Sequence, residues 1–184
     1  KPVPNDRPPT GKALTEEESR RLFEVAKTRP EWRYAYTAAI LSVYCGMRSC
    51  EVKGLKWKDI DWENRLIEIT RSKTPAGWRR PSLNDTCLNA LRELFESVAP
   101  LGATEPTHYV FPWHGREQRL DPTRHMTSWR TAWRSIRKKA GLGDLRFHDG
   151  RHTAITTLAE NGTPDWVIQA QVGHVDPQMM KTYS

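Results

Sequence analysis

Apolar positions along this chain recur mostly at three- and four-residue steps, the period of a helix with one buried face. In "LTEEESRRLF" and the residues after it, Leu22, Phe23 and Ala26 share a face, and Thr15 followed by Glu18 spells a capping box, so a first helix begins there. The pattern predicts a second helix over about Trp32 to Cys45, a short third in "SCEVKGL", and another from about Asp85 to Val98. "MTSWRTAWRSIRKKAG" reads as a helix stopped by Gly141. "RFHDGRHTAITTLAENG", Arg146 to Gly162, turns Ala154, Ile155 and Leu158 to one side. "TPDWVIQAQVG" follows, with Pro164 suited to a first turn, and a last short helix starts after Pro177. One clear β signal interrupts the helices. "LIEIT" and "RRPSL" flank "RSKTPAGW", whose Pro-Ala-Gly marks a turn, which predicts a hairpin with an extended tip. "YVF" reads as a short buried segment. The expected fold class is α+β, mainly helical, with a small antiparallel β-sheet or hairpin.

Residues 1–13 hold four of the 13 prolines and read as a linker or disordered segment, with one ordered domain over 14–184. A chain of 184 residues is long enough for one full core. Lys and Arg total 29 against 22 Asp and Glu, a formal net charge of +7 and a pI near 9.5. Such a balance points first to nucleic acid and second to an acidic membrane surface. No apolar run approaches the roughly 18 residues of a membrane span, and the N-terminus does not read as a signal peptide, so a soluble intracellular protein is expected. Cys45, Cys50 and Cys87 form neither CxxC nor a zinc spacing, and reduced, mostly buried thiols without a disulfide are expected.

The charge is not spread evenly. His148, Arg151 and His152 crowd one helix beginning, where the macrodipole favours anions, so an anion is expected to sit there. Arg48 has Glu51 three residues on to hold it from behind, an arrangement that a surface ion pair also explains. Arg71, Lys73, Arg79 and Arg80 surround the hairpin tip, as they would in a solvated turn. "WRTAWRSIRKK" puts Trp129, Trp133 and Ile136 on a core-like face and Arg130, Arg134 and Arg137 on another, which suits phosphates or water alike. His174 follows a glycine at a helix end, where capping is the commoner role, and Tyr183 stands almost last.

Taken in order, Arg48, Lys73, His148, Arg151, His174 and Tyr183 resemble the reactive residues of the tyrosine recombinase, or phage integrase, catalytic domain. "GMRSCEVKGLKWKDIDW" is similar to that family's first arginine box, "HDGRH" to its His-x-x-Arg box, and "VGHVDPQMMKTYS" to its closing box, with nine residues from His174 to Tyr183. The resemblance covers about Leu14 to Ser184. It implies a site-specific DNA recombinase that cuts and rejoins strands through a 3′-phosphotyrosine link, with double-stranded DNA as partner. It also implies Arg71, Arg79, Arg80, Arg130, Arg134 and Arg137 as DNA-binding residues, a DNA-associated cytoplasmic place in a prokaryote or phage, and a homotetramer on paired sites in the full-length protein. With an upstream core-binding domain and the family's tail after the tyrosine absent, this chain alone is expected to be a monomer. Gly150 departs from the family's large apolar residue, which predicts a less anchored first turn.

The residue types suit the chemistry. Two guanidiniums match the oxygens of an attacked phosphate, and Tyr183, with an ordinary pKa of about 10, needs a proton acceptor such as His148. Lys73 on the hairpin tip would protonate the departing 5′ oxygen, and His174 would donate to a nonbridging oxygen. No cofactor and no metal are expected. Three other readings stay open: a zinc hydrolase using His148 and His152, four apart as in H-E-x-x-H; a DNA-binding relative that has lost catalysis; and a type IB topoisomerase.

Overall fold

A computed structural model describes residues 11–70 and 75–183 of the chain. The first helix, α1 (Glu16–Ala26), opens with the expected capping box: Thr15 Oγ1 accepts from the Glu18 amide at 3.1 Å, and the Glu18 carboxylate accepts from the Thr15 amide at 2.9 Å. It packs on α2 (Arg33–Cys45), a helix buried almost all round and the hub of the domain. Polar positions are scarce in α2, and the reason is its neighbours: α1, α3 (Ser49–Lys53), α4 (Asp85–Val98) and α6 (Asp149–Glu160) all pack against it. The helix at "TAWRSIRKK" is α5 (Arg130–Lys139), with Trp129, Trp133 and Ile136 in the core as the pattern predicts.

The hairpin region is more elaborate than expected. β1 (Ile60–Asp61) pairs antiparallel with β2 (Leu66–Ile67), and the returning segment joins through bridges Leu66 to Ser82 and Ile69 to Arg79. Ile69 and Arg79 exchange both backbone hydrogen bonds, at 2.9 and 3.1 Å. A second two-stranded sheet, β3 (Pro112–His114) with β4 (Leu120–His125), was not anticipated, because β4 carries Pro122 and no apolar alternation. Its Val110–Phe111 approach is fully buried, as the "YVF" reading expects.

Three helices close the fold: α6, α7 (Asp165–Val172) and α8 (Pro177–Tyr183). They share a small core of Ala154, Ile155, Ile168, Val172, Val175 and Met180. Pro164 stands just before α7, in extended rather than first-turn conformation. At Gly150 the structure corrects the expectation of a loose first turn. An added Cβ would lie 2.6 Å from Ser42 Oγ and 3.0 Å from Ser42 Cβ, so the missing side chain is what lets α6 seat on α2. Cys45 and Cys87 are buried with their sulfurs 3.6 Å apart, Cys50 is exposed, and all three are free thiols.

Candidate functional site

The first arginine is held by its own helix start. Arg48 is the N-cap of α3; its amide donates to Glu51 Oε2 at 2.9 Å and its Nη1 to Glu51 Oε1 at 3.2 Å, as the Arg-x-x-Glu spacing predicts. Its Nη2 reaches across the chain to the carbonyl oxygen of His174 at 3.2 Å. About a third of the side chain is open to solvent, which leaves the guanidinium available to a ligand.

Arg151, by contrast, is buried on the first turns of α6. Nη1 donates to the carbonyls of Gly46, at 2.6 Å, and Val172, and Nη2 donates to that of His174 at 3.0 Å. Gly46 ends α2 and Val172 ends α7, so this cation satisfies carbonyls that two helix C-termini leave unpaired, where a positive charge is favoured. The expectation of two guanidiniums offering parallel donors outward therefore holds for Arg48 better than for Arg151, whose donors are engaged with backbone. Burial, with the positive charges of Arg48 and Arg79 adding, pulls the Arg151 guanidinium down to about 10, so it stays charged at neutral pH. Gly46 makes the arrangement possible: its φ of 65° is left-handed, and a Cβ there would collide with Val172 at 2.5 Å.

The beginning of α6 also carries an anion of its own. Asp149 is buried: Oδ2 accepts from the Arg146 amide at 2.8 Å and Oδ1 from Arg146 Nη2 at 3.0 Å. His148 lies just before the helix, exposed, with its ring edge-on to His152 at 5.3 Å between centroids. Partial desolvation of the ring, and then the charges of His152, Arg151 and Arg48, hold its imidazole below the ordinary value, so it is neutral at pH 7 and able to accept a proton. His152 is depressed by burial too. His174, exposed, follows Gly173 in the link from α7 to α8. Asp176 opens α8, accepting from the Gln178 amide at 2.9 Å, and Tyr183 is the last residue of that helix. The Tyr183 side chain lies outside what the structure describes, as do Arg71 and Lys73 altogether. Among the described residues, Arg48, His148, Arg151 and His174 are brought together around one another. No group of three or more metal-ligating side chains converges among the described residues.

The arginines expected to meet DNA divide. Arg130 and Arg134 are exposed on α5, and Arg80 is exposed with a 2.9 Å ion pair to Glu68. Arg137 is half-buried and donates to the Leu145 carbonyl at 2.7 Å. Arg79 does not stand at the open tip: its side chain is 5 % exposed and locked onto Glu51, because along an extended segment successive side chains point to opposite faces. A groove of about 450 Å³ takes in Ser49 and Phe147, the chain neighbours of Arg48 and His148, and is lined by Lys53, Arg130, Arg134, Arg137 and Arg146 with Trp129 and Trp133. Lys53 and Arg146 were missed by sequence reasoning, although Lys53 lies within the first quoted box and Arg146 two residues ahead of "HDGRH". A larger cleft, about 650 Å³ between β3–β4 and the start of α2, shares only Arg130 with the candidate residues, and the chemistry argues for the smaller, basic groove.

The Phage integrase family matches residues 12–184. The chain is 30% identical over 149 residues to an integrase of Salmonella phage P22, covering 76% of this chain and 36% of the relative. It is 26% identical over 193 residues to the prophage integrase IntR of Escherichia coli strain K12, covering 91% and 45%. It thus spans about a third to a half of these relatives' length. Among solved structures, a XerA recombinase superposes with TM-score 0.72 and 24% identity over 95% of this chain and 60% of that one. The Tn1549 transposon integrase, in complex with transposon right end DNA, gives 0.77 and 21% over 98% and 63%. The fold is that of these enzymes.

Proposed function

The chain belongs to the phage integrase family, and from that premise we propose that it is the catalytic domain, residues 14–184, of a site-specific recombinase acting on double-stranded DNA. The observation that carries the reading is the convergence of Arg48 and Arg151 on the His174 carbonyl with His148 alongside, while α8, which ends at Tyr183, packs on α6. The basic groove leading away from this cluster supports a path for the phosphates that flank the scissile one.

In the proposed reaction the Tyr183 phenol oxygen attacks the phosphorus, and the bond to the 5′ oxygen breaks. His148 takes the phenol proton and Lys73 supplies one to the departing 5′ oxygen, leaving a 3′-phosphotyrosine and a free 5′-hydroxyl. Arg48 faces the nonbridging oxygens, Arg151 adds fixed positive charge from beneath, and His174 donates a hydrogen bond. Rejoining reverses these steps on a second strand. No step is assigned to a metal, so cleavage persists in excess EDTA. Four copies acting on paired DNA sites complete the proposed reaction. The deciding experiment is trapping on a nicked suicide duplex: a covalent adduct forms with the unsubstituted chain and disappears in Tyr183→Phe, with DNA binding nearly unchanged. Binding without any adduct would instead favour a relative that has kept the fold and lost catalysis.

A further inference from the structure

Arg79 lies where three pieces of the site meet. Its backbone is pinned in the ladder with Ile69, on the arm that leads to position 73. From there the guanidinium turns inward. Nη1 and Nη2 grip the two carboxylate oxygens of Glu51, each at 2.8 Å, and Nε donates to the Gln171 carbonyl at 3.1 Å. Glu51 in turn holds both the amide and the guanidinium of Arg48. Burial pushes the Glu51 carboxyl up, but the hydrogen bonds from Arg79 and Arg48 outweigh it and hold it below the ordinary range. The link to α7 is reinforced next door, where the Gln171 side-chain amide exchanges hydrogen bonds with both backbone groups of Ser82 at 2.9 and 3.0 Å. Gly173, just before His174, is packed so closely that a Cβ there would come within 3.1 Å of Arg79 Nη1.

Resting on the strand-transfer reading above, we propose that Arg79 is a positioning residue. Through Glu51 it orients Arg48, and through Gln171 it ties the Ile69–Arg79 ladder to the end of α7, from which His174 follows. Arg79 contacts no DNA itself. A lysine cannot reproduce the fork, because an ammonium is a point donor, so even this charge-conserving change loosens the register. Misplacement of reacting groups by about 1 Å costs on the order of 10²-fold in rate.

The test uses the whole 184-residue chain and compares the unsubstituted protein, Arg79→Lys, Glu51→Gln and the Arg79→Lys/Glu51→Gln pair. Covalent trapping on a nicked duplex should fall about 10²-fold in Arg79→Lys, while DNA affinity stays within about two-fold and its dependence on salt is unchanged. The paired variant should be no worse than the poorer single one, since both act through one contact. Near-UV circular dichroism of Arg79→Lys should match the unsubstituted chain. Four results overturn the inference: unchanged trapping; a salt slope reduced by about one, which makes Arg79 a phosphate contact; losses that multiply in the pair; or binding and trapping lost together with the near-UV signal, which reduces Arg79 to a fold determinant. If the unsubstituted chain forms no adduct, the strand-transfer reading itself fails, and this inference falls with it.

Discussion

Arg48 and Arg151, 103 positions apart, donate to one and the same acceptor, the carbonyl oxygen of His174, at 3.2 and 3.0 Å. Two like charges share that point because Glu51 stands behind Arg48 and two helix ends stand behind Arg151. The arrangement concentrates positive potential at the link that leads into α8 and holds that link in place, which suits the proposed attack on a phosphate.

The pH dependence follows from His148. Its folded-state pKa lies below the ordinary 6.5, chiefly through partial desolvation of the ring, so between the two values the unfolded chain binds more protons than the native one. The contribution to stability is complete above about 6.5 and is lost as the pH falls from there through the folded value. Urea unfolding should show lower stability at pH 5 than at pH 7.5, with part of the difference removed in His148→Ala. The trapping rate should rise with pH and level off below 6.5. A rate that climbs steadily through pH 8 would assign the proton to another acceptor.

Gly150→Ala should destabilise the protein, against helix propensity, which alone would reward alanine by about 1 kcal/mol. The new Cβ meets Ser42 Oγ at 2.6 Å, and overpacking of this kind costs about 1–3 kcal/mol. Gly150→Leu should be worse. A higher urea midpoint for Gly150→Ala would mean that α6 moves off α2 without penalty.

Along the basic groove, Arg130→Ala and Arg134→Ala should each weaken DNA binding and lower the slope of log affinity against log salt by about one. Arg137→Ala should instead orphan the Leu145 carbonyl and cost about 1 kcal/mol in stability. Titrations across salt, paired with melts, separate the two behaviours. The assignment fails for any arginine that shows the opposite one.

Lys73→Ala should cripple cleavage of ordinary DNA and recover on a duplex whose 5′ bridging oxygen is sulfur, since a thiolate leaves without a proton. Without that recovery, Lys73 contributes charge rather than a proton.

Much of the helical scaffold was legible because its signals are local. The Thr15–Glu18 box and the Asn84 cap ahead of Asp85 each start a helix within three residues of chain. β3–β4 was not legible, since Leu120–His125 has no apolar alternation, its Asp121-Pro122 reads as a turn rather than a strand, and it pairs only because the fold brings it beside Pro112–His114. Adjacent arginines were the sharper failure. Arg79 and Arg80 look alike in sequence, yet strand alternation sends the first inward to Glu51 and the second outward to Glu68. The period-two rule could have separated them, but which face was inner depended on Glu51, 28 residues away. Arg151 was placed in the right cluster with the wrong surroundings, because the helix ends it caps come from distant parts of the chain.

The three cysteines differ so sharply in burial that the protein already carries a selective labelling handle. Cys45 and Cys87 are sealed between α2 and α4, and the hydrogen bond with Cys87, then burial, raises the Cys45 thiol well above its ordinary value. Cys50 is open to solvent, two residues from Arg48 and next to Glu51. A maleimide dye added to the native protein should therefore attach at that one position. Its fluorescence would report, without any engineered mutation, when a duplex arrives at the first arginine.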